Sequence, residues 1–228
     1  MNKFIRETAR QPSKRILVAL LAAGESRRFN GIKLQATVDV IDSNGKIKSQ
    51  PLLLQTLDKL TSLNTKTSTG LKVELLVVLG AHQEKLANLL SSDVNRRFNT
   101  NWQSGIASSI KEAVIEAEAL KVDGLLIALA DHIGVTLDDY QKLITVWQSY
   151  GQTCCAQYQN SFGVPAVFNS SDFTDLASLT GDTGAKHLLK KKSNLDALSI
   201  VEIEGVAVDI DRRADIEKWQ QMIVENIS

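Results

Sequence analysis

The stretch Leu21-Ala22-Ala23-Gly24-Glu25-Ser26-Arg27-Arg28-Phe29-Asn30-Gly31-Ile32-Lys33 concentrates small residues, a hydroxyl and three strong cations directly after an apolar run. Small residues let backbone N–H groups approach phosphate oxygens closely, and arginine and lysine neutralise the charges of a triphosphate. By composition this is a phosphate cradle, the bland alternative being a strand-to-helix turn with solvated basic residues. The Walker A spacing G-x-x-x-x-G-K-[ST] and the dinucleotide spacing G-x-G-x-x-G are both missing, so any cradle here is of another type.

A second chemical feature is Asp131, which follows the apolar run Leu125 to Ala130. That order puts its carboxylate at the carboxyl end of a buried strand, where open α/β sheets bind ligands. Magnesium takes oxygen donors, usually one or two carboxylates completed by phosphate oxygens and water, so a second acid is expected. Asp209 and Asp211 compete for that place. His82, His132 and His187 show no metal-ligand spacing, and only His132, beside Asp131, is positioned to touch a ligand. Ser104, Ser108 and Ser109 lack the G-x-S-x-G elbow of a nucleophilic hydrolase. Lys190-Lys191-Lys192 reads as a solvated helix end, favourable to the helix dipole.

The elements that must position these groups are legible from periodicity. Ile16 to Ala23, Val73 to Leu79 and Leu125 to Ala130 are continuous apolar runs of the kind found in strands buried on both faces. Between and around them, Pro51 to Leu63, Gln83 to Leu90 and Ile106 to Leu120 carry helical periodicity. Alternating strands and helices predict a doubly wound α/β sheet. Ala36 to Gln50, with Asn44-Gly45 as a two-residue turn signal, is expected to be an inserted β-hairpin. Short strands near Cys154 to Tyr158, Val164 to Phe168 and Ile200 to Ile203, and a helix over Ala214 to Ile223, complete the pattern.

The 228 residues, 43% of them hydrophobic, can bury one core, and no repeat or linker divides them. One domain over 1–228 is expected, with 1–14 a flexible N-terminal extension. The 26 basic and 26 acidic side chains cancel. Without a global positive field, neither nucleic acid nor an anionic membrane is an expected partner. The longest apolar run cannot span a bilayer, and the polar N-terminus lacks the apolar centre of a signal peptide. Cys154 and Cys155 are adjacent and have no other cysteine to pair with, which fits a reducing, cytoplasmic setting.

Residues 21–33 fit L-A-A-G-x-S-x-R-F-x-x-x-K, which resembles the signature loop of the molybdenum cofactor nucleotidyltransferases, of the MobA-like and cytidylyl type. Asn101-Trp102-Gln103-Ser104-Gly105-Ile106-Ala107-Ser108-Ser109 resembles that family's N-W-x-x-G-(I/M)-x-S-S segment. Ala130-Asp131, Gly163-Val164-Pro165-Ala166-Val167-Phe168, Gly181-Asp182-Thr183-Gly184-Ala185-Lys186 and Asp209-Ile210-Asp211 resemble its later blocks, in the same order. Each match alone is weak, but their order makes them specific.

The resemblance implies a three-layer, Rossmann-like, mostly parallel sheet of the nucleotide-diphospho-sugar transferase type. It implies a magnesium-dependent enzyme that moves a nucleoside monophosphate from an NTP to a phosphorylated small acceptor and releases pyrophosphate. Arg28, Lys33 and Asp131 become the catalytic residues, and Asp131 with Asp209 the metal ligands, Asp211 remaining the competitor for the second place. Leu21, Ala22, Ala23, Gly24, Ser26, Gly80, Asn101, Gly105 and Ser109 become the nucleotide pocket. Ala23 stands where guanylyl-transferring members usually carry glycine, which favours CTP, since a methyl group in a tight base pocket costs a purine more than a pyrimidine. The implied acceptor is molybdopterin, with a molybdoenzyme as eventual recipient. The chain departs from the family at Asn30, a common glycine, at Ile133 and at Arg212-Arg213, and Val164 stands where a histidine is common. Guanylyl transfer, transfer to a sugar or alcohol phosphate, and a non-catalytic cofactor chaperone are the alternatives.

Overall fold

The computed structural model describes residues 14–41, 45–63 and 70–225. The expected extension therefore lies outside the described residues, apart from Lys14.

Nine strands are described: β1 (Arg15–Ala22), β2 (Thr37–Ile41), β3 (Ile47–Pro51), β4 (Lys72–Leu79), β5 (Arg96–Phe98), β6 (Gly124–Leu129), β7 (Thr153–Tyr158), β8 (Ser161–Asn169) and β9 (Leu198–Glu202). Seven of them form one sheet in the order β5-β4-β1-β6-β8-β7-β9. β5, β4, β1 and β6 run parallel, β8 pairs antiparallel with both β6 and β7, and β9 is parallel to β7. β8 is thus the one reversed strand of a mostly parallel sheet.

The central runs are apolar throughout because both of their faces are covered. Ile16, Val18 and Leu20 of β1 enter one core with Leu53, Leu57, Tyr140 and Trp147. Leu17, Ala19 and Leu21 enter the other with Ile110, Ala113, Val114 and Leu189. The helices supplying these layers are α1 (Leu52–Thr61) and α4 (Leu137–Tyr150) on the first face, and α3 (Ile106–Ala119), α5 (Phe173–Ala177) and α6 (Lys186–Ser193) on the second. A short α2 (Gln83–Ala87) follows β4, and α7 (Arg213–Glu225) closes the chain. Three layers with alternating strands and helices are the expected doubly wound architecture.

The sequence reading places no helix over 137–150, although its signals are present. Thr136 and Asp139 form a reciprocal capping box at its start, and Gly151 ends it at φ 66°. Tyr140, Leu143, Ile144 and Trp147 then bury one face. The inserted hairpin is present: β2 and β3 form their own two-stranded sheet, paired from Thr37↔Pro51 to Ile41↔Ile47. Asn44 of the expected Asn44-Gly45 turn lies outside the described residues.

No helix among the described residues is long and apolar enough to cross a membrane. Both cysteines are free and fully buried in β7. Burial pushes each thiol up to about 12. Since the thiolate is the reactive form, neither should react in the folded protein. At pH 8 a chromogenic disulfide reagent is expected to release no thiolate from native protein and two equivalents after denaturation; prompt native labelling would contradict this burial.

Candidate active site

Beyond the carboxyl end of β1 the chain turns sharply through residues 23–33. Phe29, 2% exposed, anchors this loop, and its N–H donates to Ser26 O at 2.9 Å. The turn needs left-handed backbone at Ser26 (φ 61°) and Asn30 (φ 54°). Asparagine tolerates that region better than most residues, which accounts for Asn30 in the place of a glycine. The Arg213 guanidinium lies 5.3 Å from the Phe29 ring centroid and reaches Asn30 O at 3.4 Å. Arg213 of the unusual Arg212-Arg213 pair thus ties the start of α7 to the cradle.

The turn after β6 is stitched to residues 205–210. Asp131 O accepts from Ile133 N at 2.8 Å and from Ile210 N at 3.1 Å, and Gly134 N donates to Val208 O at 3.2 Å. Gly134 and Gly205 meet backbone to backbone, since a Cβ on Gly205 would lie 2.2 Å from Gly134 O. This contact explains how Asp211, far along the chain, arrives beside Asp131.

Lys33 stands between the two acids. Its Nζ is 2.8 Å from Asp131 Oδ2 and 3.2 Å from Asp211 Oδ1, while Arg28 Nη1 is 2.6 Å from Asp211 Oδ2. Burial alone would lower the Lys33 pKa, but the charges and hydrogen bonds of Asp131 and Asp211 outweigh it and the net shift is upward. Although Asp209 is exposed at its surface, partial desolvation and then the nearby charges of Asp211 and Asp131 shift it upward. The three carboxylates are therefore electrostatic neighbours. No cluster of three or more His, Cys, Asp or Glu among the described residues could hold a metal by itself. Paired hard oxygen donors facing a space for phosphates nonetheless suit magnesium, which completes its shell with phosphate oxygens and water.

The opposite wall is built on Asn99, 1% exposed just past β5. Its amide donates to Ser108 Oγ at 2.7 Å and Ser109 Oγ at 2.9 Å, and its Oδ1 accepts from Asn101 N at 2.9 Å. One buried amide thereby orients both the 101–105 loop and the first turn of α3. Gly80 packs behind this wall, where an added Cβ would lie 2.7 Å from Ala23 Cβ and 2.8 Å from Trp102 Cβ. His82 braces the cradle, with Nε2 at 3.1 Å from Glu25 O.

These walls enclose a cavity of about 460 Å³. Leu21, Ala22, Ala23, Gly24, Ser26, Arg28, Lys33, Gly105, Ser109 and Asp131 all line it, as expected. Trp102, Gln103, Asp182 and Asp211 join them. Gly80, Asn101 and Asp209 are not among the lining residues. Asn101 lines a neighbouring depression with Thr100, Ser104 and Lys111. Exposed Asp209 makes neither of the ion pairs that Asp211 makes with Arg28 and Lys33. Asn99 escapes sequence reading because its role lies in three hydrogen bonds that only the folded chain brings together. His132 is half-buried outside the lining, its pKa lowered by burial.

Removing the Asn99 amide takes the partner from the Ser109 hydroxyl and the Asn101 N–H, and leaves Ser108 Oγ with only its bond to Gly105 O at 2.8 Å. Asn99→Ala is expected to cost about 1–3 kcal/mol of stability and to weaken nucleotide binding, read by denaturant unfolding and by titration calorimetry. Unchanged values in both would show that the amide orients nothing.

A family model described as the MobA-like NTP transferase domain matches residues 18–197. The purine catabolism protein PucB of Bacillus subtilis (strain 168) is 25% identical over 207 residues, covering 86% of this chain and 91% of its own. Among solved structures, the Rv0371C complex with manganese from Mycobacterium tuberculosis superposes with a TM-score of 0.66 at 18% identity, covering 92% of this chain and 99% of that one. Molybdopterin-guanine dinucleotide biosynthesis protein A from Archaeoglobus fulgidus superposes with a TM-score of 0.59 at 14% identity, covering 92% and 99%. At these identities the structural likenesses speak for the fold.

Proposed function

This chain belongs to the MobA-like NTP transferase family, and we propose on that premise that it transfers CMP from CTP to a phosphorylated small acceptor, molybdopterin being the best candidate. The observation that carries the reading is the charge pattern at the strand ends. Arg27, Arg28 and Lys33 line one cavity with Asp131 and Asp211, so anionic phosphates and a divalent cation have complementary partners side by side.

In the proposed reaction an acceptor phosphate oxygen forms a bond to the α-phosphorus of CTP, and the bond from that phosphorus to the bridging oxygen of pyrophosphate breaks. A phosphomonoester is already anionic near neutral pH, so no general base is required. The chain's task is alignment and charge neutralisation. Arg28 and Lys33 turn from their carboxylates to the triphosphate, and Gly24 and Ser26 offer a close backbone approach. Asp131, with Asp211 or Asp209, would hold magnesium. When bound, the ion supplies Lewis-acid stabilisation of the phosphoryl oxygens. The manganese in the Rv0371C structure and the molybdopterin in the name of the Archaeoglobus protein support the metal and the acceptor.

Ala23 supports the base choice. It is 6% exposed, lines the cavity and is pressed from behind by Gly80. Its methyl group therefore cannot retreat from a bound base.

Pyrophosphate release with Mg²⁺, each NTP in turn and molybdopterin tests the reading, and CTP is expected to be the best donor. Asp131→Asn should lower the rate on the order of 10²–10³-fold or more with the circular dichroism spectrum unchanged. Tight nucleotide binding without pyrophosphate from any pairing would overturn the transferase and favour a carrier of the cofactor. Ala23→Gly should move the ratio of kcat/KM for CTP over GTP toward GTP by ~10-fold. An unmoved ratio would remove this methyl group as the discriminating contact.

A further inference from the structure

Helix α1 contributes no wall to the cavity, yet two of its side chains grip the turn that carries Asp131. Thr56, fully buried, donates from Oγ1 to Ala130 O at 3.2 Å. Lys59 donates from Nζ to Ile133 O at 2.8 Å and to Val135 O at 2.7 Å. The carbonyl before Asp131 and two carbonyls after it are thus drawn toward one helix. Other links of this turn run to other elements, among them Ala130 N to Leu21 O, Ile210 N to Asp131 O and Gly134 N to Val208 O.

A lysine is a costly choice here. Burial pushes the Lys59 ammonium down to about 8, offset in part by the charge of Asp139. Leu52, seven residues earlier on the same helix face, is a core residue, and an aliphatic side chain at 59 would continue that apolar face without a desolvated charge. What lysine supplies is a compact group with several donors, able to hold two carbonyls on one centre.

We propose that Lys59, supported by Thr56, is a positioning residue that fixes the direction of the Asp131 carboxylate toward the divalent cation and the α-phosphate without touching either. The proposal rests on the reading in which Asp131 holds the metal. A carboxylate direction is fixed only as well as the peptide planes on both sides of it, and α1 holds those planes from behind. Lys59 would then act on metal affinity and on the chemical step, and leave contacts between the cradle and the triphosphate intact.

The test is Mn²⁺ binding followed by water-proton relaxation enhancement with CTP present, for wild type, Asp131→Asn, Lys59→Met, Lys59→Arg and Thr56→Val. Metal-free CTP binding and circular dichroism are measured in parallel. Loss of a group that orients a metal ligand typically costs 10–100-fold, so Lys59→Met should raise the half-saturating Mn²⁺ concentration by about that factor with metal-free CTP affinity unchanged. Thr56→Val should move it the same way by less, and Lys59→Arg should recover part of the loss. Wild-type Mn²⁺ affinity in Lys59→Met overturns the proposal. Should Lys59→Met fail to fold, a wild-type value in Thr56→Val overturns it instead. Equal Mn²⁺ binding by wild type and Asp131→Asn removes the metal reading itself, which separates that failure from a failure of Lys59 alone.

Discussion

The Lys33 ammonium, held between Asp131 and Asp211, is the contact on which the site depends. Its side chain is 11% exposed, and a charge so desolvated persists only where opposite charges and hydrogen bonds compensate it. The three residues come from three parts of the fold: the end of the cradle, the end of β6 and the segment before α7. Bringing them together requires β1 and β6 as neighbours, the backbone contact of Gly134 with Gly205, and the cation–π contact of Arg213 on Phe29. The ion pair is therefore a seal across the mouth of the sheet as well as a local interaction.

That arrangement gives the cavity its proposed behaviour toward ligands. Arg28, Lys33, Asp131 and Asp211 satisfy one another, so none of these four charges is left without an opposite partner. A triphosphate offers Arg28 and Lys33 a stronger partner, and a divalent cation offers Asp131 and Asp211 one. The two ligands entering together exchange every partner without leaving a buried charge unpaired. Either ligand alone would strand one side. In this account nucleotide and metal binding are coupled through Lys33, and the coupling is reciprocal.

Much of this is legible in the amino-acid sequence. β1, β4 and β6 stand out because strands buried on both faces are apolar at every position, and the cradle stands out because glycine, serine, arginine and lysine rarely cluster after such a strand by chance. What stays hidden depends on contacts between distant residues. Asn99 looks like any polar residue until Ser108, Ser109 and Asn101 surround it. Asp211 is visible only as a rival of Asp209, and the ion pairs with Arg28 and Lys33 are what distinguish it. Asn101, prominent in its motif, is not among the residues that line the cavity. Asn30 and Arg213, departures from the family pattern, both reinforce the cradle.

The most direct measurement is Mn²⁺ affinity without nucleotide, compared between wild type and Lys33→Met. If Lys33 occupies the place that the divalent cation takes, its removal frees two adjacent carboxylates, and Lys33→Met should bind Mn²⁺ more tightly than wild type even as it loses CTP affinity. An Mn²⁺ affinity that stays the same or falls in Lys33→Met would contradict the account.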